Sequence, residues 1–194
     1  MIITSKDRFA LLKINRIKKV GCSLLFILSG FLTACTTMNV NVSNRMVLPA
    51  QTPIAVGPIA NHSSTPLANR QVESMLTGLL QVKGFHNIHH YQHSKSCAKL
   101  LYCPDETLTN DQIIRWARSH RIAYVFTGAT NEWRYKVGLD GEPVAGTSLI
   151  LINVHTGKTV WTAVGSVIGG SRSGLDVVGQ ALLAKQLESI GAAR

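Results

Sequence analysis

The most distinctive chemical group in this sequence is the thiol of Cys35, which follows the small residues Thr33 and Ala34. This pattern matches the bacterial lipobox, in which the thiol receives a diacylglycerol, the preceding peptide is removed, and the new amino group is acylated by a fatty acid such as palmitate. Several acyl chains anchor a protein durably, whereas one chain binds a membrane only marginally. We therefore predict that Cys35 is a lipidation site and that membrane lipid is a partner.

The residues ahead of Cys35 have the three-part pattern of an export signal. A basic segment precedes residues 20–31, a nearly uncharged apolar stretch that is too short for a stable membrane span. An ordinary secreted protein or a short anchor helix is the alternative interpretation. Thr36 stands where an Asp would retain a lipoprotein at the inner membrane, so the outer membrane, on its periplasmic face, is the predicted location.

These signals divide the chain into three parts. We expect a signal peptide at residues 1–34, a lipidated tether at residues 35–52 and one periplasmic domain at residues 53–194. The chain of 194 residues has a formal net charge of +10, and the predicted signal peptide carries half of it. The remaining charge is spread without a basic stripe interleaved with aromatic residues, which argues against nucleic acid as a partner.

Two further cysteines, Cys97 and Cys103, belong to the predicted exported domain. In an oxidising periplasm, a pair this close in sequence favours a local disulfide over two free thiols. A catalytic thiol would have to stay reduced there, and the sequence has no Gly-x-Ser-x-Gly nucleophile elbow. We therefore expect a protein that is not an enzyme.

A histidine cluster precedes the cysteines and raises the question of a metal site; its members are His86, His89, His90 and His93. On a strand, alternate side chains point to opposite faces, so no more than two of these imidazoles converge. No nearby carboxylate has the spacing that would complete a ligand set. The sequence predicts neither a metal nor a cofactor.

Asp140 and Glu142 lie on either side of Gly141 in a polar loop, residues 136–143. Their spacing places both carboxylates on an exposed turn. The simplest interpretation is solvated loop charge, and the functional one is an acidic binding surface.

The spacing of apolar residues predicts the element order βαβαβββα. Strands are expected over residues 54–59, 85–91, 122–126, 127–135, 144–154 and 159–168, where the adjacent segments 122–126 and 127–135 together take one position in this order. Helices are expected after a cap at Ser64 or Thr65, after Thr109, and from Leu175. This order indicates an α/β (α+β) fold, a single domain in which helices pack on a mixed sheet.

Three segments carry a resemblance to a known family: residues 132–143 (Glu-Trp-Arg-Tyr-Lys through Glu-Pro), residues 156–161 (Thr-Gly-Lys-Thr-Val-Trp), and Gly165-Ser166 leading to residues 171–173. They resemble PelC, the outer-membrane lipoproteins of Pel exopolysaccharide export in biofilms. The match in order covers roughly residues 120–190. The resemblance implies a fold similar to the N-terminal domain of TolB and to the curli secretion lipoproteins.

The resemblance also implies a mode of action. PelC-like proteins form a ring of many copies under the outer membrane, with an acidic funnel that guides a cationic polysaccharide toward an outer-membrane porin. Asp140 and Glu142 are the candidate polysaccharide-binding residues by this resemblance. A tryptophan near a hairpin contacts the bilayer in PelC, and Trp161 is the position that would take this role; packing in the core is the alternative.

Two other functions fit the same kind of domain. One is a regulator of a periplasmic peptidoglycan synthase, although the predicted tether of about 17 residues is short for reaching through the wall layer. The other is an accessory subunit of a different secretion machine. A pore like that of curli secretion would need additional membrane-crossing hairpins, and the sequence has no spare segments for them.

Overall fold

Apolar residues recur with the period of a strand or of a helix along most of the chain. The computed structural model describes residues 36–92, 108–138 and 140–193. The strands are β1 (Thr37–Val42), β2 (Met46–Pro49), β3 (Ile54–Asn61), β4 (Ile88–His90), β5 (Tyr124–Tyr135), β6 (Pro143–Asn153), β7 (Lys158–Ile168) and β8 (Ile190–Ala193). The helices are α1 (Ala68–Val82), α2 (Asn110–Ser119) and α3 (Leu175–Gln186), and a 3₁₀ turn (Leu187–Ser189) follows α3.

Six strands form the main sheet, in the order β1-β7-β6-β5-β3-β4. Strand β3 runs parallel to β4 and β5, whereas β1, β7, β6 and β5 pair in antiparallel fashion. Strands β2 and β8 form a separate parallel pair. The prediction of one α/β domain with a mixed sheet is confirmed, and the order βαβαβββα is extended by strands at both ends.

The segment that was predicted to be a tether, residues 35–52, contributes two of these strands. Thr37 pairs with Ile168 at one end of β1 and Val42 pairs with Ala163 at the other. Val40 packs against the core, and Leu48 of β2 is 6% exposed. The tether prediction is wrong for residues 37–49, because the alternation of polar and apolar residues gives β1 an apolar side that the core buries.

Helices α1 and α3 cover one face of the sheet and bury the larger hydrophobic core against it. Helix α2 covers part of the opposite face, where Ile113 and Ala117 pack against Val125 and Ile152. Within the described residues, no helix combines the length and the apolar character that crossing a membrane requires.

Two helix starts test the capping predictions. Helix α2 begins after Thr109 as expected, and Thr109 also caps it: its Oγ1 accepts from the Gln112 backbone amide at 3.3 Å, and the Gln112 Oε1 accepts from the Thr109 backbone amide at 2.8 Å. Helix α1 lacks a side-chain cap and begins after Leu67. The predicted cap at Ser64 or Thr65 is wrong, because the helix begins later and the Thr65 hydroxyl instead donates to the backbone carbonyl of Trp133.

Two predicted strands also differ in extent from the observed ones. The expected strand over residues 85–91 shortens to β4, because only Ile88–His90 pair with β3; Phe85, before them, is fully buried. The two strands expected over residues 122–126 and 127–135 form one continuous strand, β5, which is interrupted only by a bulge.

Candidate functional site

The bulge in β5 decides which side chains reach each face of the sheet near the hairpin loop. Thr130 pairs with Thr147, and Glu132 pairs with Gly146, so Asn131 is an extra residue with no partner in the register. An extra residue reverses the alternation of side chains beyond it. Trp133 therefore points toward α3, while Glu132 points to the opposite face.

Trp133 fixes the position of α3. Its side chain is fully buried, and the ring lies against Gly179 of α3. A Cβ at Gly179 would lie only 2.0 Å from the Trp133 ring. Helix and strand approach this closely because residue 179 has no side chain.

The start of α3 is also tied to the end of β5. The backbone amide of Leu175 donates to the Tyr135 hydroxyl at 3.0 Å, which satisfies one of the free amides of the first helical turn. This hydrogen bond therefore links the end of β5, just before the loop, to the first turn of α3.

The loop itself closes as a hairpin between β5 and β6. The amide of Lys136 donates to the Glu142 carbonyl at 2.8 Å, and Tyr135 pairs with Pro143. Gly141 adopts φ +50°, a left-handed conformation that side chains other than glycine rarely take. Val137 is completely exposed near the tip.

The two loop carboxylates have different electrostatic surroundings. The Glu142 carboxylate forms an ion pair with the Lys136 ammonium at 2.9 Å, and both side chains are partly exposed. Asp140 is exposed, and no cation among the described residues pairs with it. The structure places both residues on one solvated loop, and Asp140 carries the uncompensated negative charge.

A polar surface that was not predicted from the sequence lies on the face of the sheet opposite α3. It combines side chains of β1, β5 and β7 with the loop after β3 and borders an open cavity of about 570 Å³. Its residues include Asn39, Asn41, His62, Ser63, Ser64, Asn131, Glu132, Arg134, Val164 and Ser166. We call this surface the polar groove. The alternation in Asn39-Val40-Asn41-Val42 was the available signal, and it indicates a strand with one polar side.

Trp161 lies in the core rather than on the surface. It is 1% exposed, packs edge-on against Phe126 at 5.8 Å between ring centroids, and donates from its indole nitrogen to the Ser189 hydroxyl at 2.8 Å. The ring offers no surface to a bilayer, so the structure contradicts the membrane contact predicted for Trp161 and favours the core-packing alternative.

The histidines do not converge. His86, His89 and His90 are exposed, and a hydrogen bond of 2.9 Å joins His89 Nε2 to the side-chain Oδ1 of Asn87. Within the described ranges, no group of three potential ligands is close enough to hold a metal ion. Cys35, Cys97, Cys103 and His93 lie outside the described residues, so lipidation and the disulfide remain predictions.

The structure is a small α/β domain with a loop that carries Asp140 and Glu142 and a polar groove on the opposite face of the sheet from α3. No protein-family model and no curated protein matches the chain. Among solved structures, the chain is 34% identical to the PelC dodecamer from Paraburkholderia phytofirmans, with a TM-score of 0.70, covering 81% of this chain and all of that one. A second dodecamer structure of that protein, a leucine-to-methionine variant, is 36% identical over the same shares, with a TM-score of 0.69.

The chain belongs to the PelC family. It also resembles the LpoB C-terminal domain from Salmonella enterica at 20% identity and a TM-score of 0.44, covering 61% of this chain and 84% of that one, a level of likeness that supports no statement about function.

Proposed function

We propose that this protein is a lipid-anchored, ring-forming component of exopolysaccharide export that acts without catalysis on the periplasmic face of the outer membrane. The observation that carries the proposal is the similarity of nearly the whole described domain to PelC, which forms a dodecamer. The proposed partners are further copies of the chain, an outer-membrane porin, membrane lipid and a cationic polysaccharide.

The proposed contact with the polysaccharide is the hairpin loop, residues 136–143. In this arrangement the loops of all copies line the opening of the ring. One exposed carboxylate interacts weakly with a cation, because surface ion pairs contribute only about 0–1 kcal/mol. Repetition around a closed ring presents the same charge many times, so multivalent contact retains a polycation although each contact is weak.

The two carboxylates contribute unequally to this proposal. Glu142 is already paired with Lys136, so its charge is largely offset within the loop. Asp140 supplies the uncompensated charge, and a variant that removes both carboxylates leaves Lys136 without a partner and makes the loop positive. Because the net charge of the chain is positive, the negative charge at the opening of the proposed ring would come locally from this loop.

The experiment that tests the function compares two double variants in a polysaccharide export assay. In Asp140→Asn with Glu142→Gln, we expect export to be lost while ring size by light scattering stays unchanged. The matched control is Asp111→Asn with Glu188→Gln, because Asp111 is likewise exposed and Glu188 likewise pairs with a lysine, Lys185, at 2.8 Å. Normal export by the loop variant, or equal loss in the control, contradicts the proposal.

Lipid anchoring is tested separately at Cys35. Labelling cells with a radioactive fatty acid should mark the protein, and the Cys35→Ser variant should lose the label and remain unprocessed or soluble. Equal labelling of both proteins would show that Cys35 is not the acylated residue.

A further inference from the structure

The polar groove is organised by strand register into rows of facing side chains. Asn39 pairs with Ser166, Ser166 with Gly146, and Gly146 with Glu132, so these four positions form one row across β1, β7, β6 and β5. At a strand spacing of about 4.8 Å, such a row is about 14 Å long. The groove therefore offers polar side chains from three strands spread along this row, with a gap at Gly146, rather than one isolated contact.

The floor of the groove is open because Gly146 lies in the middle of the row. A Cβ at Gly146 would meet the Glu132 Cβ at 3.5 Å, which is ordinary contact, so the position tolerates a side chain that would project into the groove. One wall is the loop that follows β3, with His62, Ser63 and Ser64. The cavity of about 570 Å³ is within the size range of small-ligand sites, about 300–1,000 Å³.

The charges of the groove cancel internally. Arg134 and Glu132 form an ion pair at 2.7 Å, with both side chains partly exposed. This ion pair disfavours a strongly charged ligand, because Arg134 would repel a cation and Glu132 would repel an anion at the same position. A single exposed aliphatic side chain, Val164, also makes the groove a poor site for a purely apolar ligand.

Hydroxyl and amide groups remain for a ligand. Asn41 donates to the Asn39 side chain at 3.3 Å, which leaves other hydrogen-bonding positions of both amides open. Among the described residues, the hydroxyls of Ser64 and Ser166 have no hydrogen-bond partner. Side chains that both donate and accept suit a ligand that does the same at regular intervals, as a chain of sugar hydroxyls does.

We propose that the polar groove binds an uncharged, hydroxyl-bearing segment of a polysaccharide. This inference rests on the proposed function and divides the recognition of the polymer between two surfaces. The loop with Asp140 contacts cationic sugar residues, and the groove contacts neutral ones. The two surfaces lie at the same end of β5, since Glu132 and Lys136 are four residues apart on one strand and its loop.

The test uses two soluble probes of equal length, the tetramer of N-acetylglucosamine, which is neutral, and the tetramer of glucosamine, which is cationic. Binding of each probe to the purified full chain in detergent is measured by calorimetry. Gly146→Leu, which fills the groove, should weaken binding of the neutral tetramer by at least about tenfold. Ser166→Ala should weaken it by a smaller factor, and neither change should affect the cationic tetramer.

The matched control is Gly78→Leu on the exposed side of α1, where no atom lies within 4 Å of an added Cβ. The proposal is overturned if the unmodified protein does not bind the neutral tetramer, or if Gly146→Leu binds it as well as the control does. It is also overturned if Gly146→Leu changes the oligomer size, because the groove would then be a contact between copies. The export assay on the loop variant tests the proposed function independently of these results.

Discussion

The two faces of the six-stranded sheet differ in what covers them, and strand β6 shows the difference residue by residue. Ala145, Thr147 and Leu149 point toward α3 and are fully buried. Gly146 and Ser148 alternate with them and point to the opposite face, where the polar groove lies. Over residues 145–149 the strand therefore contributes to a close-packed core on one side and borders the groove on the other, whereas farther along Ile152 on the groove side is covered by α2.

The bulge at Asn131 places neighbouring residues of one short segment on opposite faces of the sheet. Trp133 packs in the core, whereas its neighbours Glu132 and Arg134 form an ion pair on the groove side. If Asn131 were paired regularly instead of bulged, the alternation from Phe126, which faces the core, would turn Glu132 and Arg134 toward the core as well. Burial of those charges would carry a large desolvation cost.

The covered face should be intolerant of added volume, and Gly179 is the most sensitive place to test this. In Gly179→Ala, the new Cβ would lie 2.0 Å from the Trp133 ring, so α3 must move or the ring must turn. We expect a loss of about 1–3 kcal/mol or more in the free energy of unfolding, as for other overpacked cores. Urea denaturation at unchanged m-value measures it.

Gly78→Ala is the matched control, a second glycine within a helix but with no atom within 4 Å of an added Cβ. Alanine should raise stability there by about 0.5–1 kcal/mol, because glycine costs more conformational entropy in a helix. A Gly179→Ala protein as stable as Gly78→Ala would show that α3 does not pack closely on Trp133.

The sequence predicted the regular parts of this fold well because their physical signals are local. Strand β7 alternates buried and more exposed residues along much of its length, β6 contains the continuous apolar run Leu149–Ile152, and the Thr109 capping box lies within four residues of sequence. The acidic loop was also predictable, since Gly141 and the polar residues around it indicate an exposed turn. These features depend on neighbours in sequence and need no knowledge of the tertiary structure.

The features that were missed depend on distant partners. Strand β1 exists because β7, more than 100 residues later, offers an edge to pair with. The burial of Trp161, which the sequence offered only as an alternative, depends on Phe126 and Ser189, and the ion pair of Glu142 depends on how the hairpin closes. A single-residue bulge such as Asn131 has no distinctive sequence signal, so the polar groove could not be assembled from the sequence alone.

The two faces of the sheet should also differ in how much a lost hydrogen bond lowers the free energy of unfolding, and neighbouring residues of β6 test this smaller effect. The Thr147 hydroxyl donates to the Gln186 Oε1 at 2.8 Å, and the Gln186 amide donates to the Thr147 carbonyl at 3.1 Å, all beneath α3. Thr147→Val keeps the shape but leaves the buried Gln186 Oε1 without its donor. Such an unsatisfied group should cost about 1–3 kcal/mol in the free energy of unfolding.

Ser148 provides the comparison on the groove side, one residue along the same strand. Its hydroxyl accepts from the side-chain amide of Asn131 at 2.7 Å. Ser148 is partly exposed, so water can replace this partner when the hydroxyl is removed. Ser148→Ala should therefore change stability by no more than about 0.5 kcal/mol. The two variants are compared by urea denaturation under the same conditions. Equal losses would mean that the groove face is as tightly constrained as the core, which is what a surface buried by another molecule would show.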